Sequence, residues 1–170
     1  DSGRVGSEMC IRDRQTAARN IRSEQNALSF NLKKVYVKEI SCESPRSPHI
    51  FLHEQAPEVD VQMNITHSRL KDSDLYEVVL TITVTAKGAE NTFFLCEVQQ
   101  AGLFEVTGAY DEMEMVLEIA CPNILLPFVR EAISDLVGKG GFPQLLINPI
   151  NFEALYHQKM MAQQSDQKPN

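Results

Sequence analysis

The chain has 170 residues, of which 43% are hydrophobic and 23% are charged, and its formal net charge is −7. This length and composition predict one globular domain with a hydrophobic core. No stretch approaches the roughly 18 consecutive apolar residues of a membrane-spanning helix, so we expect no insertion into a membrane. No apolar segment near the N-terminus has the form of a secretory signal, and the cytoplasm is therefore the expected compartment.

The charge is unevenly distributed along the chain. Residues 1–22 contain five arginines and three acidic residues, a net charge of +2, so residues 23–170 carry −9. An acidic body argues against nucleic acid as a partner, because phosphate contacts require basic patches. Residues 1–22 show no helix or strand periodicity, and we expect them to be disordered or foreign to the domain. A basic arm for anionic partners is the alternative.

The first ordered element is predicted to be a long extended segment that begins near Leu28. Its apolar residues change register at residues 33–34, which indicates a bulge. Pro45 and Pro48 end the strand, because two prolines so close together prevent a sheet ladder. The connection then runs to Pro57, which is longer than the usual length of about 4–6 residues, and it contains an apolar run where solvated loops are polar.

Three more strands are predicted from the alternation of apolar and polar residues. They cover residues 59–65, 78–86 and 93–104, with a polar turn at 67–74 and a hairpin-length connection at 87–91. Four strands that follow one another with connections of this kind predict an antiparallel sheet.

The strand at residues 93–104 is apolar on both of its faces. Cys96 and Val98 fall on one face, whereas Leu95 and Glu97 fall on the other. A face that combines large apolar side chains with a carboxylate is typical of a surface that contacts a partner. The sequence therefore predicts that this strand forms part of a binding surface.

The periodicity becomes helical after the fourth strand. Residues 111–119 are predicted to form a short helix, and Asn123 is predicted to cap a longer one that ends at 138–141. A last helix is predicted at about 151–163, before a flexible polar tail at 164–170. Strands followed by helices predict the α+β class, with a four-stranded antiparallel sheet and helices packed on one face.

The residues with reactive or metal-binding side chains form no catalytic motif. His49 and His53 have a metal-ligand spacing but no third ligand nearby, so a solvated loop pair explains them better. The acidic residues of 111–118 fit a solvated helix start better than an acid/base pair. The four cysteines include no Cys-x-x-Cys pair, and no disulfide is expected in a cytoplasmic protein. We therefore predict a binding protein without enzymatic activity, metal or cofactor.

Several motifs in one order resemble the SecB family of bacterial export chaperones. The resemblance covers about residues 23–163. Its motifs lie at 44–49 (SPRSPH), 75–80 (LYEVVL), 94–100 (FLCEVQQ), 121–125 (CPNIL), 141–145 (GFPQL) and 148–152 (NPINF). The resemblance implies a homotetramer, assembled as a dimer of dimers, that binds unfolded precursor proteins without ATP and keeps them competent for translocation. It also implies that the chaperone delivers these precursors to the SecA motor.

The resemblance also implies roles for particular residues. In the family an acidic outer surface of the sheet docks SecA, and the matching positions here are Glu39, Glu43, Leu95 and Glu97. The alternate side of the fourth strand matches positions at subunit packing. Those positions are Cys96, Val98 and Gln100.

Long apolar grooves hold the client chain in this family. The candidates here are Phe51, Leu52, Val61, Met63, Phe152 and Tyr156. Gln55 stands where well-known members of the family have a tryptophan, and this chain contains no tryptophan. The alternative to a chaperone is an oligomeric adaptor or scaffold without client grooves, in which the same apolar residues form core or subunit interface.

Overall fold

The computed structural model describes residues 27–166, which form a four-stranded antiparallel sheet with a helical layer on one face. The strands are β1 (Ser29–Glu43), β2 (Glu58–Arg69), β3 (Leu75–Lys87) and β4 (Thr92–Thr107). The helices are α1 (Tyr110–Met115), α2 (Cys121–Lys139) and α3 (Phe152–Asp166). The predicted α+β fold is confirmed. The prediction for residues 1–22 lies outside the described residues, and residues 164–166 of the predicted tail are the end of α3.

The strands are arranged in the order β1-β4-β3-β2. Strands β1 and β2, which are consecutive in the sequence, are therefore at opposite edges of the sheet. Residues 44–57, here called the crossover segment, connect these edges and contain a 3₁₀ turn at His49–Leu52. Ile50 in this turn is only 2% exposed, so the segment is anchored in the hydrophobic core.

The two faces of the sheet differ in composition because side chains alternate along each strand. The helix face is the one covered by α2, and its central residues, such as Ile82 and Val98, are fully buried. Gly102 lies below α2, where a Cβ atom would come within 3.0 Å of Leu125 and 2.5 Å of the Phe104 ring. The close approach of α2 to β4 therefore depends on a glycine at this position.

Strand β1 contains two register shifts against β4, at Lys33 and at Lys38. The first confirms the predicted bulge, and the second was not predicted. Each shift moves the alternation by one residue, so the apolar side chains of β1 stay on the helix face along its whole length. These side chains are those of Phe30, Leu32, Val35, Val37 and Ile40.

The helical region differs from the prediction of two helices separated near Pro122. Residues 110–139 follow one continuous helical path, in which Val116–Ala120 forms a π-helical turn between α1 and α2. Pro122 cannot donate a backbone hydrogen bond, and in a regular α-helix its ring would crowd the carbonyl group four residues earlier. The wider π-helical turn directly before Pro122 relieves this conflict. Asn123 is not an N-cap, because its Nδ2 atom donates to the carbonyl oxygen of Ile119 at 3.0 Å.

Two further predictions are wrong. Strand β2 continues to Arg69, beyond the predicted end at residue 65, because its polar last residues pair with β3 as far as Tyr76. The expectation of no disulfide also fails, since Cys42 and Cys96 are joined. The physical reason is the β1–β4 register, which places these two cysteines directly opposite each other.

Candidate functional site

The outer face of the sheet, which faces away from α2, is polar at the end formed by residues 39–43 of β1. Cross-strand register aligns three rows of side chains there. The rows are Glu39–Gln99–Thr81–Asn64, Ser41–Glu97–Thr83–Gln62 and Glu43–Leu95–Thr85–Asp60. Four strands thus contribute neighbouring polar side chains, with Leu95 as the large apolar member.

The four residues predicted to dock SecA lie together on this end of the outer face. Leu95 is 39% exposed and is directly opposite Glu43. Glu97 accepts a hydrogen bond from Thr83 Oγ1 at 2.9 Å, and Glu39 accepts one from Gln99 Nε2 at 3.2 Å. These neutral donors orient the carboxylates without cancelling their charge.

Asp60 completes this surface and was not singled out from the sequence. It lies in the same cross-strand row as Glu43 and Leu95, at the far edge of the sheet. Its position among the polar residues of the alternating β2 strand was the only signal that could have found it. We call Glu39, Glu43, Asp60, Leu95 and Glu97 the acidic patch.

The opposite end of the outer face carries paired charges. Lys38 Nζ donates to Glu77 Oε1 at 2.7 Å, and Tyr36 donates its hydroxyl proton to the same carboxylate. The hydrogen bond from Lys38 is the main cause of the lowered pKa of Glu77. Burial, followed by the hydrogen bond to Glu77, raises the pKa of Tyr36 to about 12. Within the part of the chain that the structure describes, the carboxylates of the acidic patch form no salt bridge, whereas Glu77 and Glu105 at the opposite end do.

The residues predicted to pack between subunits lie inside this chain's own fold. Cys96 and Val98 are fully buried on the helix face, and Gln100 is 3% exposed. The Gln100 side chain is held by a hydrogen bond from Nε2 to the Tyr36 carbonyl oxygen at 3.0 Å. In the single chain these residues therefore support the contact between β4 and its neighbours.

An exposed apolar stripe on edge strand β1 was not predicted as a site. Its residues lie on the helix face but beyond the part of the sheet that α2 covers. Phe30, Leu32, Val37 and Ile40 are each between 39% and 47% exposed. Several large apolar side chains in a row beside an unpaired strand edge are typical of a surface that contacts another chain.

A groove of about 450 Å³ lies between the crossover segment and residues 141–145. Aromatic rings line it, and the ring of Phe142 is 5.3 Å from that of Phe51 and 4.8 Å from that of Phe94. Gly141 has a φ of +86°, and a Cβ atom there would lie 3.2 Å from the Phe51 ring. The glycine therefore allows the two walls to approach each other.

The six residues predicted to hold the client do not form one groove. Phe51 lines it, but Leu52 is 81% exposed outside it, and Phe152 is buried in the core at the start of α3. Val61 and Met63 lie on the helix face of β2, next in the alternation to Val59, which does line the groove. Tyr156 is half-buried on α3 and is not among the lining residues.

The groove walls that the sequence reasoning missed are Phe93, Phe94 and residues 141–145. The sequence signal for these walls was the motif GFPQL directly after a helix, because a phenylalanine is unusual in a loop that is fully exposed to solvent. Gln55 of the crossover segment also lines the groove.

Helix α3 is held through a buried carboxylate. Glu118, in the π-helical turn, is 7% exposed and accepts hydrogen bonds from Lys159 Nζ at 2.9 Å and from His67 Nε2 at 3.1 Å. The hydrogen bond with His67 is the main cause of its lowered pKa, and burial opposes the shift. One side chain thus connects β2, the π-helical turn and α3.

Comparison with known proteins agrees with this architecture. Residues 23–163 match the family model described as "Preprotein translocase subunit SecB". The chain belongs to the SecB family. The "Protein-export protein SecB" of Nitrosospira multiformis is 48% identical over 147 residues, which cover 86% of this chain and 92% of that relative. The protein of the same name from Chromobacterium violaceum is also 48% identical, with coverage of 85% and 97%. The chain is therefore one of the SecB protein-export chaperones.

A solved structure shares the SecB fold at low sequence identity. It is the Mycobacterium tuberculosis Rv1957 SecB-like chaperone in complex with a ChAD peptide from the Rv1956 HigA1 antitoxin. The match has a TM-score of 0.60 at 14% identity and covers 71% of this chain and 90% of that one. Within residues 27–166, no helix is long and apolar enough to cross a membrane, and no three His, Cys, Asp or Glu side chains are grouped as metal ligands.

Proposed function

We propose that this SecB-family chain acts in the cytoplasm as a homotetramer, a dimer of dimers, that binds unfolded precursor proteins without ATP and delivers them to SecA. The observation that carries the proposal is the aromatic groove between the crossover segment and residues 141–145. The relatives named protein-export protein support the export role, and the peptide bound to the mycobacterial SecB-like chaperone supports a polypeptide as ligand.

The groove has the chemistry that an unfolded chain requires. An unfolded client has no fixed shape, so the site must accept many apolar side chains in an open trough rather than one ligand in a closed pocket. Phe51 is 50% exposed at the rim, and Phe142 contacts three aromatic rings in the wall. In the proposed tetramer each subunit would provide one such groove, which would increase the avidity for a long client chain through effective concentration.

Refolding of a precursor protein tests the holding activity. The purified chain should slow refolding without nucleotide, and Phe51→Ala should weaken this effect by roughly tenfold, in line with the loss of one buried aromatic contact at an interface. Tyr110→Ala is the matched control, because Tyr110 is a 79% exposed aromatic residue outside the groove. If the unsubstituted chain does not slow refolding of the precursor, the result would instead favour an oligomeric adaptor without client grooves.

The acidic patch is the proposed SecA surface. Glu97→Lys should weaken SecA binding and leave the tetramer intact, because Glu97 is on the outer face and has no role in the core. Glu105→Lys makes the same charge change on the same face of β4, at the end where Glu105 pairs with Lys33 at 2.8 Å. An equal loss of affinity in both variants would show general charge attraction and remove the patch from the proposal.

The proposed tetramer is supported by the exposed apolar stripe on β1, which needs a covering surface. Native mass spectrometry should give a particle of four times the subunit mass. Val37→Lys places a charge in the stripe at a residue that is 46% exposed, so it should shift the particle to smaller species without unfolding the subunit. A monomer for the unsubstituted chain would contradict the proposed assembly.

A further inference from the structure

Cys42 and Cys96 join the edge strand β1 to β4. They are directly opposite each other in the antiparallel ladder, with their Cα atoms 4.0 Å apart, and 54 residues separate them in the sequence. The contact is therefore created by the fold rather than by local sequence. Its position matters because Cys42 is the second-last residue of β1, just before the crossover segment begins.

The two cysteine residues differ in their exposure to solvent. Cys42 is exposed on the edge strand, whereas Cys96 is fully buried on the helix face. A third cysteine within the described residues, Cys121, is buried and unpaired, and burial raises its pKa to about 12. In the single chain the opposed pair therefore combines one exposed cysteine at the sheet edge with a buried partner that can resolve it.

We propose that Cys42 and Cys96 form a reversible redox pair that fixes the end of β1 against β4. In the cytoplasm, the compartment proposed above, disulfides are usually transient and catalytic or redox-sensing, so a pair at the edge of the sheet fits a switch better than a permanent brace. The oxidant is a low-molecular-weight disulfide of the glutathione class. The thiolate of Cys42 attacks one of its sulfur atoms and releases one thiol.

The second half of the exchange closes the bond. Cys96 loses its proton and attacks the Cys42 sulfur of the mixed disulfide, which releases the second small thiol. The protein thus loses two electrons and two protons, and the small disulfide gains them as two thiols. Reduction by excess small thiol follows the same steps in reverse and begins at the exposed residue Cys42.

The cross-link has a mechanical consequence for both proposed sites. Glu43 follows Cys42, and Leu95 and Glu97 flank Cys96, so the bond fixes both halves of the acidic patch in register. Ser44, the first residue of the crossover segment, donates a hydrogen bond from its Oγ atom to the Phe93 carbonyl oxygen at 2.9 Å, and its other hydrogen bonds are to Ser47 within the segment. In the reduced form the end of an edge strand can fray, whereas in the oxidised form it cannot.

The redox pair is tested by hydrogen exchange in buffers of oxidised and reduced glutathione, with Cys10→Ser as the background because Cys10 lies outside the described residues. Oxidised protein should give a Cys42–Cys96 linked peptide and roughly tenfold slower exchange of the amides of residues 39–43. Cys42→Ser should exchange like the reduced protein in both buffers, and Cys121→Ser should still respond to both. Absence of the linked peptide, or equal exchange in the two buffers, would overturn the proposal.

The effect on docking rests on the proposed function and has its own readout. Oxidised protein should bind SecA more tightly than reduced protein, because the acidic patch is already ordered, and Cys42→Ser should lose this difference. If the linked peptide forms but SecA binds neither state, the proposed function fails while the redox pair stands. If SecA binds both states equally, the patch does not depend on the cross-link and the regulatory role is refuted.

Discussion

Helix α3 should become loosely attached when Glu118 loses its charge. Glu118 accepts hydrogen bonds from Lys159 on α3 and from His67 on β2, and its side chain is only 8% exposed. In Glu118→Gln one acceptor oxygen remains, but the electrostatic part of both contacts is lost. No other hydrogen bond of the described residues joins the α3 side chains to the sheet or to the π-helical turn, which leaves Phe152 as the main anchor.

The expected cost follows from the exposure of the partners. Hydrogen bonds to charged groups contribute about 1.5–3 kcal/mol each when they are shielded from water. The Lys159 side chain is 51% exposed, so solvent weakens its share. We expect a loss of about 1–2 kcal/mol, which increases the population of detached α3 by a factor of roughly 5–30.

Hydrogen exchange followed by mass spectrometry measures this detachment directly. Amides of α3 should exchange faster in Glu118→Gln, whereas amides at the centre of β3 should be unaffected. Glu112→Gln is the matched control, because it removes an exposed carboxylate from α1 for which the described residues provide no ion pair. Unchanged exchange of α3 in Glu118→Gln would refute the conclusion that this carboxylate holds the helix.

The pH dependence of the same variant gives an independent check. The pKa of Glu118 is lowered in the folded protein, so its contribution to stability is complete above the ordinary value of 4.5 and is lost as the pH falls through the lower folded value. The difference between the variant and the unsubstituted chain should therefore be largest near neutral pH and should shrink below 4.5. A difference that grows on acidification would contradict this account.

Three further predictions concern stability. Gly102→Ala should cost about 1–3 kcal/mol in urea unfolding, because its Cβ atom would press against Leu125 and the Phe104 ring; an unchanged midpoint would show that α2 shifts freely. Asn151→Ala should cost about 1 kcal/mol and loosen the first turn of α3, because Asn151 Oδ1 accepts a hydrogen bond from the Ala154 amide at 3.0 Å; Asn123→Ala, at a residue that is not a cap, should cost less. In the unsubstituted chain, stability should fall as the pH rises above 10 towards the Tyr36 pKa of about 12. Tyr36→Phe should reduce this alkaline loss of stability. Identical alkaline unfolding curves for the two proteins would exclude Tyr36 as the source of the loss.

The faces of the strands could be predicted from the sequence because alternation is a local property. The placement of Cys96 and Val98 on one face and of Leu95 and Glu97 on the other follows from a period of two residues. The four proposed docking residues could be brought together only with the family resemblance. The contact between Glu43 and Leu95 depends on which strands are neighbours, and local periodicity does not predict the strand order β1-β4-β3-β2.

The features that sequence reasoning missed all depend on contacts between distant segments. The groove combines the crossover segment with a loop about 90 residues later, which no local pattern relates. The Cys42–Cys96 contact needs a register shift at Lys38 that the sequence does not mark, since an uninterrupted ladder would place a different residue opposite Cys96. The π-helical turn was missed because Pro122 was interpreted as a helix boundary, whereas the chain accommodates it by a wider turn.

The division of the sheet into two faces has a consequence for the proposed transfer of a client. The groove is on the side of the helix face, because its lining residue Phe94 belongs to the same alternation as the buried Cys96 and Val98. The acidic patch is on the outer face, and its residues do not line the groove. The proposed client groove and the proposed SecA surface therefore do not overlap on one subunit. The patch and the groove meet at the end of β1, because Glu43 of the patch is directly followed by the crossover segment, which forms one wall of the groove.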